Sequence, residues 1–531
     1  MPVSPVSLAL GIAGIIWLSG TVPSWSQTVD PSADPTADPT ADPTADSTVD
    51  PGPSLPDETL PDELPVEAPP AVPIGNNERI TDIQVRFVDA DGQPTTGLTR
   101  DFIITREFEL QPGDLYNAQA AQVGLDRVVA LDIIDRASLT LEPTTDSTQA
   151  VLVVTVTEEN PFFIGFRTAT PVPSALQGPF QRRPVMGIDE DTGLAIAGSV
   201  QFRNLGGNHQ NLALNLRGGE NVLDGEIVFR DPWIGGDPQG TGYGVNFFNQ
   251  RAVQRVFTGG DRDVDLPGGD NPWVHRLGGG IQVTRPLAPS LLGALGLSYQ
   301  RISVRDSVFT SEIEAEDELG NALMVSDSGQ DDLLTLNFSA LYDRRNDLLA
   351  PTGGYRLRFG VDQAIPIGEA SIGFTRLTGS YLQYLPVPLF GFAPGPRTLV
   401  LNAQAGTILG DVPPYEAFNI DAGPVRTYGG EGLGSGSSFL QAAAEYRFPI
   451  ANFSLFNEPI GLGGGLFVGY ATDLGTADEV IGTPAIVRDK PGEGLGYGIS
   501  FRATTPIGLV RLEFGFSEEG SEVVLSTGDR F

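Results

Sequence analysis

Residues Gly423–Ile450, GPVRTYGGEGLGSGSSFLQAAAEYRFPI, join a glycine-rich loop carrying one arginine to a segment of period two. From Leu440 to Phe448 the even positions Leu440, Ala442, Ala444, Tyr446 and Phe448 are apolar, while Gln441, Glu445 and Arg447 interrupt the odd ones. That alternation predicts a strand with one greasy face and one face carrying charge. In a soluble sandwich the apolar face would lie on a core and the polar face in water. In a membrane barrel the apolar face lies on lipid and the polar face in a wet lumen. The rest of the chain decides between them.

The same alternation recurs downstream of Asn160. In Leu194–Arg203 the residues Leu194, Ile196, Val200 and Phe202 oppose Gln201 and Arg203, and in Asn211–Arg217 leucines alternate with Asn211, Asn215 and Arg217. Leu334–Asp343, Arg356–Asp362 and Val510–Ser517 follow suit. Arg356, Arg358 and Asp362 share one face of a single strand, a row that is costly in a dry core and cheap in a hydrated lumen. About sixteen such segments, each of roughly ten residues, fit between Phe162 and Phe531, which predicts an all-β outer-membrane barrel of sixteen antiparallel strands over residues 161–531. An even count lets the first strand close on the last and removes the edge. That seam is expected to set Phe162–Thr168 against Val523–Phe531, with Gly528 easing its opening and Phe531 at its end. Tight connections (Gly206–Asn208, Pro506–Gly508) are expected at the periplasmic rim. Long polar ones (Gly259–Asn271, Glu312–Gln330, Ala477–Glu493) are expected outside.

Composition agrees with this class. The chain has 531 residues, with Gly 66, Phe 28 and Cys 0, as suits many strands and turns without disulfides. No apolar run after the N-terminus is long enough to cross a bilayer as a helix, which excludes a helical membrane protein. A net charge of -35 makes nucleic acid an unsuitable partner. Residues 1–26 read as an export signal, with an apolar core at Leu8–Leu18 and Ser24 and Ser26 at small-residue spacing. No Lys or Arg precedes that core, so either the amino terminus supplies the positive charge or the true start lies upstream. A single anchoring helix is the competing reading, and the core is short for one. Residues 27–77 repeat an Asp-Pro-Thr-Ala unit and continue in prolines and acids, the composition of a solvated tether.

Residues 78–160 change character. Ile80, Ile83, Val85 and Phe87 begin a strand, and Leu98–Leu110 suits a short helix. Asn117 caps a second helix with Ala121, Leu125, Val128 and Val129 on one face. Strands at Ala137–Glu142 and Ala150–Glu158 follow. This β, α, α, β, β order, with LQPGDLYN at Leu110–Asn117 between the helices, resembles a POTRA domain, the periplasmic module that precedes barrels of the Omp85 superfamily. An exposed sheet edge of this kind accepts an extended client as an added strand.

Further along, Phe202–Gln210 (FRNLGGNHQ) and Phe229–Trp233 (FRDPW) are similar to strand endings of the Omp85 superfamily. Tyr342–Asp347 (YDRRND), followed by Pro351–Gly354, resembles its aspartate-arginine and Pro-Thr-x-Gly turn. Val425-Arg426-Thr427-Tyr428 matches its Val-Arg-Gly-Tyr loop, with Thr427 for glycine. Glu431–Phe439 (EGLGSGSSF) resembles the cyanobacterial and chloroplast branch, which includes the plastid import channel, within a BamA/TamA-like family. The terminal Leu525–Phe531 ends on an aromatic residue, as in assembled outer-membrane proteins. The resemblance implies that the loop folds back into the lumen and that Arg426 seeks a carboxylate. Gly469 stands where the family has the aspartate, so Arg426 is expected to pair with Glu445 or with Asp473, the latter ~13 Å further along its strand, or else the loop is held loosely. The alternative is an ordinary loop arginine in water. Asp343, Arg344 and Arg345 tie a strand end to its turn.

Nothing in the chain points to catalysis, to a metal or to a cofactor. His209 and His275, the only histidines, lack a second ligand at metal spacing. Glu312–Glu318 has no spacing or turn glycine to shape a cation site. The resemblance implies insertion of β-barrel proteins into the outer membrane, or polypeptide translocation across it, with unfolded outer-membrane or exported polypeptides and lipid as partners. A passive pore and a two-partner secretion transporter are the alternatives, and the pair of POTRA domains usual in the transporter is not visible.

Overall fold

The computed structural model describes residues 72–73, 75, 78–165, 187–189, 193–235, 237, 239–347, 350–420, 432–455, 458–505, 508–518 and 520–527. It opens with strand β1 (Arg79–Phe87), helices α1 (Asp101–Thr105) and α2 (Ala118–Val129), then β2 (Ile134–Pro143) and β3 (Gln149–Glu158). The sheet order is β1-β3-β2, with β1 parallel and β2 antiparallel to β3. Asn117 caps α2 by accepting the Ala120 N–H at 2.9 Å. Ala121, Leu125 and Val128, at helical spacing, are fully buried against Ile80, Leu152, Val154 and Val156. Val129, expected on that face, is instead 40% exposed, because one further residue rotates it about 100° off the stripe. β3, the central strand, is paired on both edges and buries Ala150, Leu152, Val154 and Val156 on the helix-facing side, with Val153 buried on the other.

The remaining strands close on one another. β4 (Phe162–Gly165) and β5 (Gly187–Asp189) both pair with β6 (Gly193–Leu205), so the first barrel strand is built from two pieces along one neighbour. Next come β7 (Gln210–Gly219), β8 (Val222–Asp231), β9 (Gly242–Val253), β10 (Trp273–Ala288), β11 (Leu291–Arg305), β12 (Gln330–Asp343), β13 (Gly354–Ile365), β14 (Phe374–Pro386) and β15 (Thr398–Gly410). A small hairpin, β16 (Phe418–Ile420) with β17 (Gly434–Gly436), interrupts the order. β18 (Ser438–Leu455), β19 (Glu458–Thr472), β20 (Glu493–Thr505), β21 (Gly508–Ser517) and β22 (Gly520–Thr527) complete a closed barrel in which β22 neighbours β4. With β4 and β5 taken as one strand, the barrel is sixteen-stranded and has no edge. No helix of the described residues is long and apolar enough to cross a membrane.

Period two decides which way each side chain faces. On β13, Leu357 and Phe359 point outward and are exposed, while Arg356, Arg358 and Asp362 point inward. On β18, Glu445 is buried inside while Tyr446 and Phe448 face out. Aromatic rings gather at the short-turn rim. Tyr355 lies 5.8 Å from Tyr342 and 6.3 Å from Tyr381, and Phe390 lies 4.7 Å from Phe448, as at a membrane interface.

The tight and the long connections singled out in the sequence lie at opposite ends of the barrel. The turns between β6 and β7 and between β20 and β21 lie at the end of the α+β unit, although Pro506 and Ile507 fall outside the described residues. The long connections 254–272, 306–329 and 473–492 all lie at the opposite end. They are not merely polar, however. Val256, Phe257, Leu266, Leu323, Met324 and Val480 pack with inward-facing Val274, Ile302 and Leu333 into one buried cluster. The lumen expected to be wet throughout is therefore dry at that end, because each loop's scattered apolar residues can leave water only by meeting over the mouth.

Candidate functional site

The cluster that roofs the barrel also holds the connection between β15 and β18. Pro413 and Pro414 fix φ and start a single 3-10 turn at Pro414–Glu416, which turns the chain inward. Glu416 is buried between two strands' arginines. Its carboxylate accepts from Arg276 of β10 at 2.6 Å and from Arg376 of β14 at 2.6 Å. The same guanidiniums donate to the backbone carbonyls of Tyr415 and Glu416. Both Arg376 and Phe374 pack by Phe418, whose ring lies 5.6 Å from the Arg376 guanidinium. The Tyr415 hydroxyl donates to Asp331 at 2.7 Å, and Asp331 also accepts the Val325 and Ser326 N–H groups. One carboxylate thus ties the inserted loop to two barrel walls, and a second ties it to the 306–329 connection.

The loop returns through β17 beside the connection 473–492. A Cβ at Gly434 would stand 3.0 Å from an Asp473 oxygen and 3.0 Å from the Gly492 backbone, so a side chain there would push the loop off its neighbour. Gly492 N–H donates to Leu433 and Asp473 N–H donates to Gly492. Asp473 itself is buried and accepts the Gly475 N–H at 2.9 Å. Burial pushes its carboxyl above the ordinary aspartate range, and the Gly475 amide draws it partly back.

Val425, Arg426, Thr427 and Tyr428 lie outside the described residues, so neither Glu445 nor Asp473 is placed against Arg426. The two candidate partners have different company. Glu445 is buried on the lumen side of β18, 3.4 Å from Arg447 and 3.6 Å from Arg502. Asp473 sits just beyond β19 among the glycines of the loop. Phe162 begins β4 at the seam, whereas Gly528 and Phe531 fall outside the described residues. Asp343 and Arg345 form the expected strand-end clamp, with contacts of 2.9, 3.1 and 2.6 Å.

Lys490 closes this connection. Its ammonium donates to the Arg255 carbonyl, and burial pushes it down to about 7, with Arg488 and Arg255 adding repulsion. The charged form is the one disfavoured in the fold. The cap is therefore least stable below about pH 7 and gains stability as pH rises from there toward the ordinary lysine range. Protease resistance of residues 473–492 is expected to increase between about pH 6 and pH 9. Lys490→Met is expected to flatten that dependence.

A second contact system joins the α+β unit to the barrel. The β6–β7 turn takes left-handed backbone at Asn204 (φ 61), Gly206 (φ 59), Gly207 (φ 75) and His209 (φ 59), which explains the residues NLGGNH. Gly207 carbonyl accepts the Arg100 N–H at 3.0 Å, and Asn204 donates to the Thr99 hydroxyl at 2.7 Å. His209 Nε2 lies 2.8 Å from Asp132. Arg106 donates to the Trp233 carbonyl at 2.9 Å and stacks 4.4 Å over its ring. His209, judged on metal spacing alone in the sequence, is a docking residue.

A model of the Omp85 superfamily domain matches residues 204–531. The chain is 28% identical over 443 residues to outer envelope protein 80, chloroplastic, of Arabidopsis thaliana, covering 83% of this chain and 55% of that protein. It is 25% identical over 484 residues to protein TOC75, chloroplastic, of Pisum sativum, covering 85% and 56% respectively. The chain thus spans about half the length of the curated relatives it matches. Among solved structures it is similar to BamA from Haemophilus ducreyi lacking POTRA domains 1-3, with a TM-score of 0.56, 14% identity and coverage of 85% of this chain and 84% of that one. At that identity the likeness is one of fold. With the family match spanning residues 204–531, more than half of the chain, the protein belongs to the Omp85 superfamily.

Proposed function

We propose that this protein inserts β-barrel polypeptides into the outer membrane or passes polypeptides across it, with the α+β unit on the periplasmic side. The observation that carries this reading is β2, which pairs with β3 on one edge and with no strand on its other edge among the described residues. Its unpaired amides and carbonyls suit capture of an extended client by strand addition. The client then gains backbone hydrogen bonds and buries its apolar strands in lipid, and no covalent bond is broken. The buried apolar cluster over the long-loop mouth argues against a standing-open diffusion pore.

Depletion of the protein, followed by a census of folded outer-membrane barrels, tests the reading. Levels of other barrels are expected to fall severalfold. Unchanged levels, together with unchanged export of polypeptides, would rule it out.

A further inference from the structure

We propose that the connection between β14 and β15, residues 387–397, is a phospholipid anchor on the outside of the barrel. Leu389 and Phe392 lie among acyl chains, and Arg397 takes the headgroup phosphate. The anchor concerns what surrounds the barrel and stands independently of the client reading above. By strand count this connection lies at the end that carries the α+β unit. Its sequence, VPLFGFAPGPR, holds a single charged residue, Arg397, in a chain whose net charge is -35.

The connection folds back over the outer wall. The Phe390 N–H donates to the Tyr446 hydroxyl at 3.0 Å, that hydroxyl donates to the Phe390 carbonyl at 2.8 Å, and the Phe392 N–H donates to the Pro449 carbonyl at 2.8 Å. The Phe390 ring lies 5.1 Å from Tyr446, and the Phe392 ring lies 5.9 Å from Phe448, both on the outward face of β18. β18 runs past the start of β15, since Thr398 pairs with Arg447 while β18 continues to Leu455. The connection covers part of the edge that this leaves. Further along, Phe453 pairs with Ile460, which shares the outward face of Leu466 on β19, and Phe453 is 48% exposed. The outward apolar band thus extends beyond the level at which the connection packs.

On that footing Leu389 and Phe392 remain 70% and 75% exposed. In water each would forgo the hydrophobic gain of burial, whereas against acyl chains both continue a band that is already apolar. Arg397 belongs to the same loop. Its Nε would stand 2.7 Å from a Cβ at Gly391, between the two phenylalanines. The Arg397 guanidinium makes no hydrogen bond or ion pair with a described residue. Its planar fork is therefore open to a phosphate, which it holds with two parallel bonds. A cation beside exposed rings fits a phospholipid, with its phosphate on Arg397 and its chains along the wall, better than it fits a free anion.

The test uses the full chain, first in liposomes of phosphatidylethanolamine and phosphatidylglycerol. A spin label at Phe392→Cys is compared with labels at Leu297→Cys, on the exposed outward face of β11, and at Gln119→Cys, on the exposed side of α2. The Phe392 label is expected to meet oxygen in preference to a water-soluble nickel chelate, as the Leu297 label does. Accessibility equal to that of the Gln119 label would overturn the proposal. Native mass spectrometry in micelles with added phosphatidylglycerol then reads the headgroup contact. Arg397→Gln and Leu389→Ser/Phe392→Ser are each expected to weaken lipid retention about tenfold. Heat-modifiable migration of each variant checks that the barrel is folded. Unchanged retention in folded Arg397→Gln, or full displacement of the lipid by millimolar inorganic phosphate, would each overturn the phosphate contact and with it the proposal. Depletion of the protein, which tests client handling, is read separately, so either reading can fail while the other stands.

Discussion

Glu416→Ala is expected to free the inserted loop and to destabilise the cap by about 3–5 kcal/mol, the range for removing one partner from a buried ion pair. The carboxylate is held at 2.6 Å by each of Arg276 and Arg376, which approach from β10 and β14. Without it two guanidiniums face each other in a space that the apolar cluster keeps dry. The loop would then have to admit water or swing out, and either outcome exposes residues 411–420 and 432–437 to protease. Glu416→Gln keeps the shape and one acceptor oxygen, so its loss is expected to be roughly half as large. Glu416→Leu combined with Arg276→Met and Arg376→Met removes all three charges together, and part of the stability is expected to return. Limited proteolysis, with thermal unfolding of the cap in micelles, reads all three variants. A cleavage pattern in Glu416→Ala identical to that of the parent chain would show that the loop is held elsewhere.

The strands were legible because period two is a local signal. Leu440–Phe448 and Arg356–Asp362 each declare their two faces within a few residues, and β18 and β13 obey them. The β, α, α, β, β order was legible for the same reason, down to Asn117 as a cap. Glu416 was not, although Pro413 and Pro414 mark a rigid turn before it. Its partners lie 140 and 40 residues away in sequence, and nothing local tells a buried carboxylate from a solvated one. The dry roof was hidden in a similar way. Its apolar residues sit singly in acidic loops without any period, and the hydrophobic effect that gathers them has no direction to leave in the sequence. The break of the first strand into β4 and β5 had no alternating pattern to announce it. As for Arg426, the resemblance supplies an expectation, and the described residues show only that its two candidate carboxylates, Glu445 and Asp473, have different surroundings.

Gly207→Ala is expected to undock the α+β unit. At φ 75 an alanine costs about 1–2 kcal/mol in backbone strain. More decisive is its Cβ, which would stand 2.1 Å from the Leu98 carbonyl oxygen, a backbone atom that cannot rotate aside. The turn must retreat from Leu98–Arg100, and the Arg100 to Gly207 hydrogen bond goes with it. The contacts of Asn204 with Thr99 and of His209 with Asp132 share that turn and follow. Gly206→Ala is the matched control. Its φ of 59 carries similar strain, yet the nearest atom to its Cβ is the Asn208 side chain at 3.6 Å. The difference between the two variants therefore isolates docking from strain. With no native cysteine in the chain, spin labels at Gln119→Cys and Pro396→Cys report the distance between unit and barrel. A single narrow distribution is expected for the parent and for Gly206→Ala, and a broad one for Gly207→Ala. If Gly207→Ala stays narrow, the contacts of Arg106 with Trp233 hold the unit by themselves, and Arg106→Ala becomes the variant that must release it.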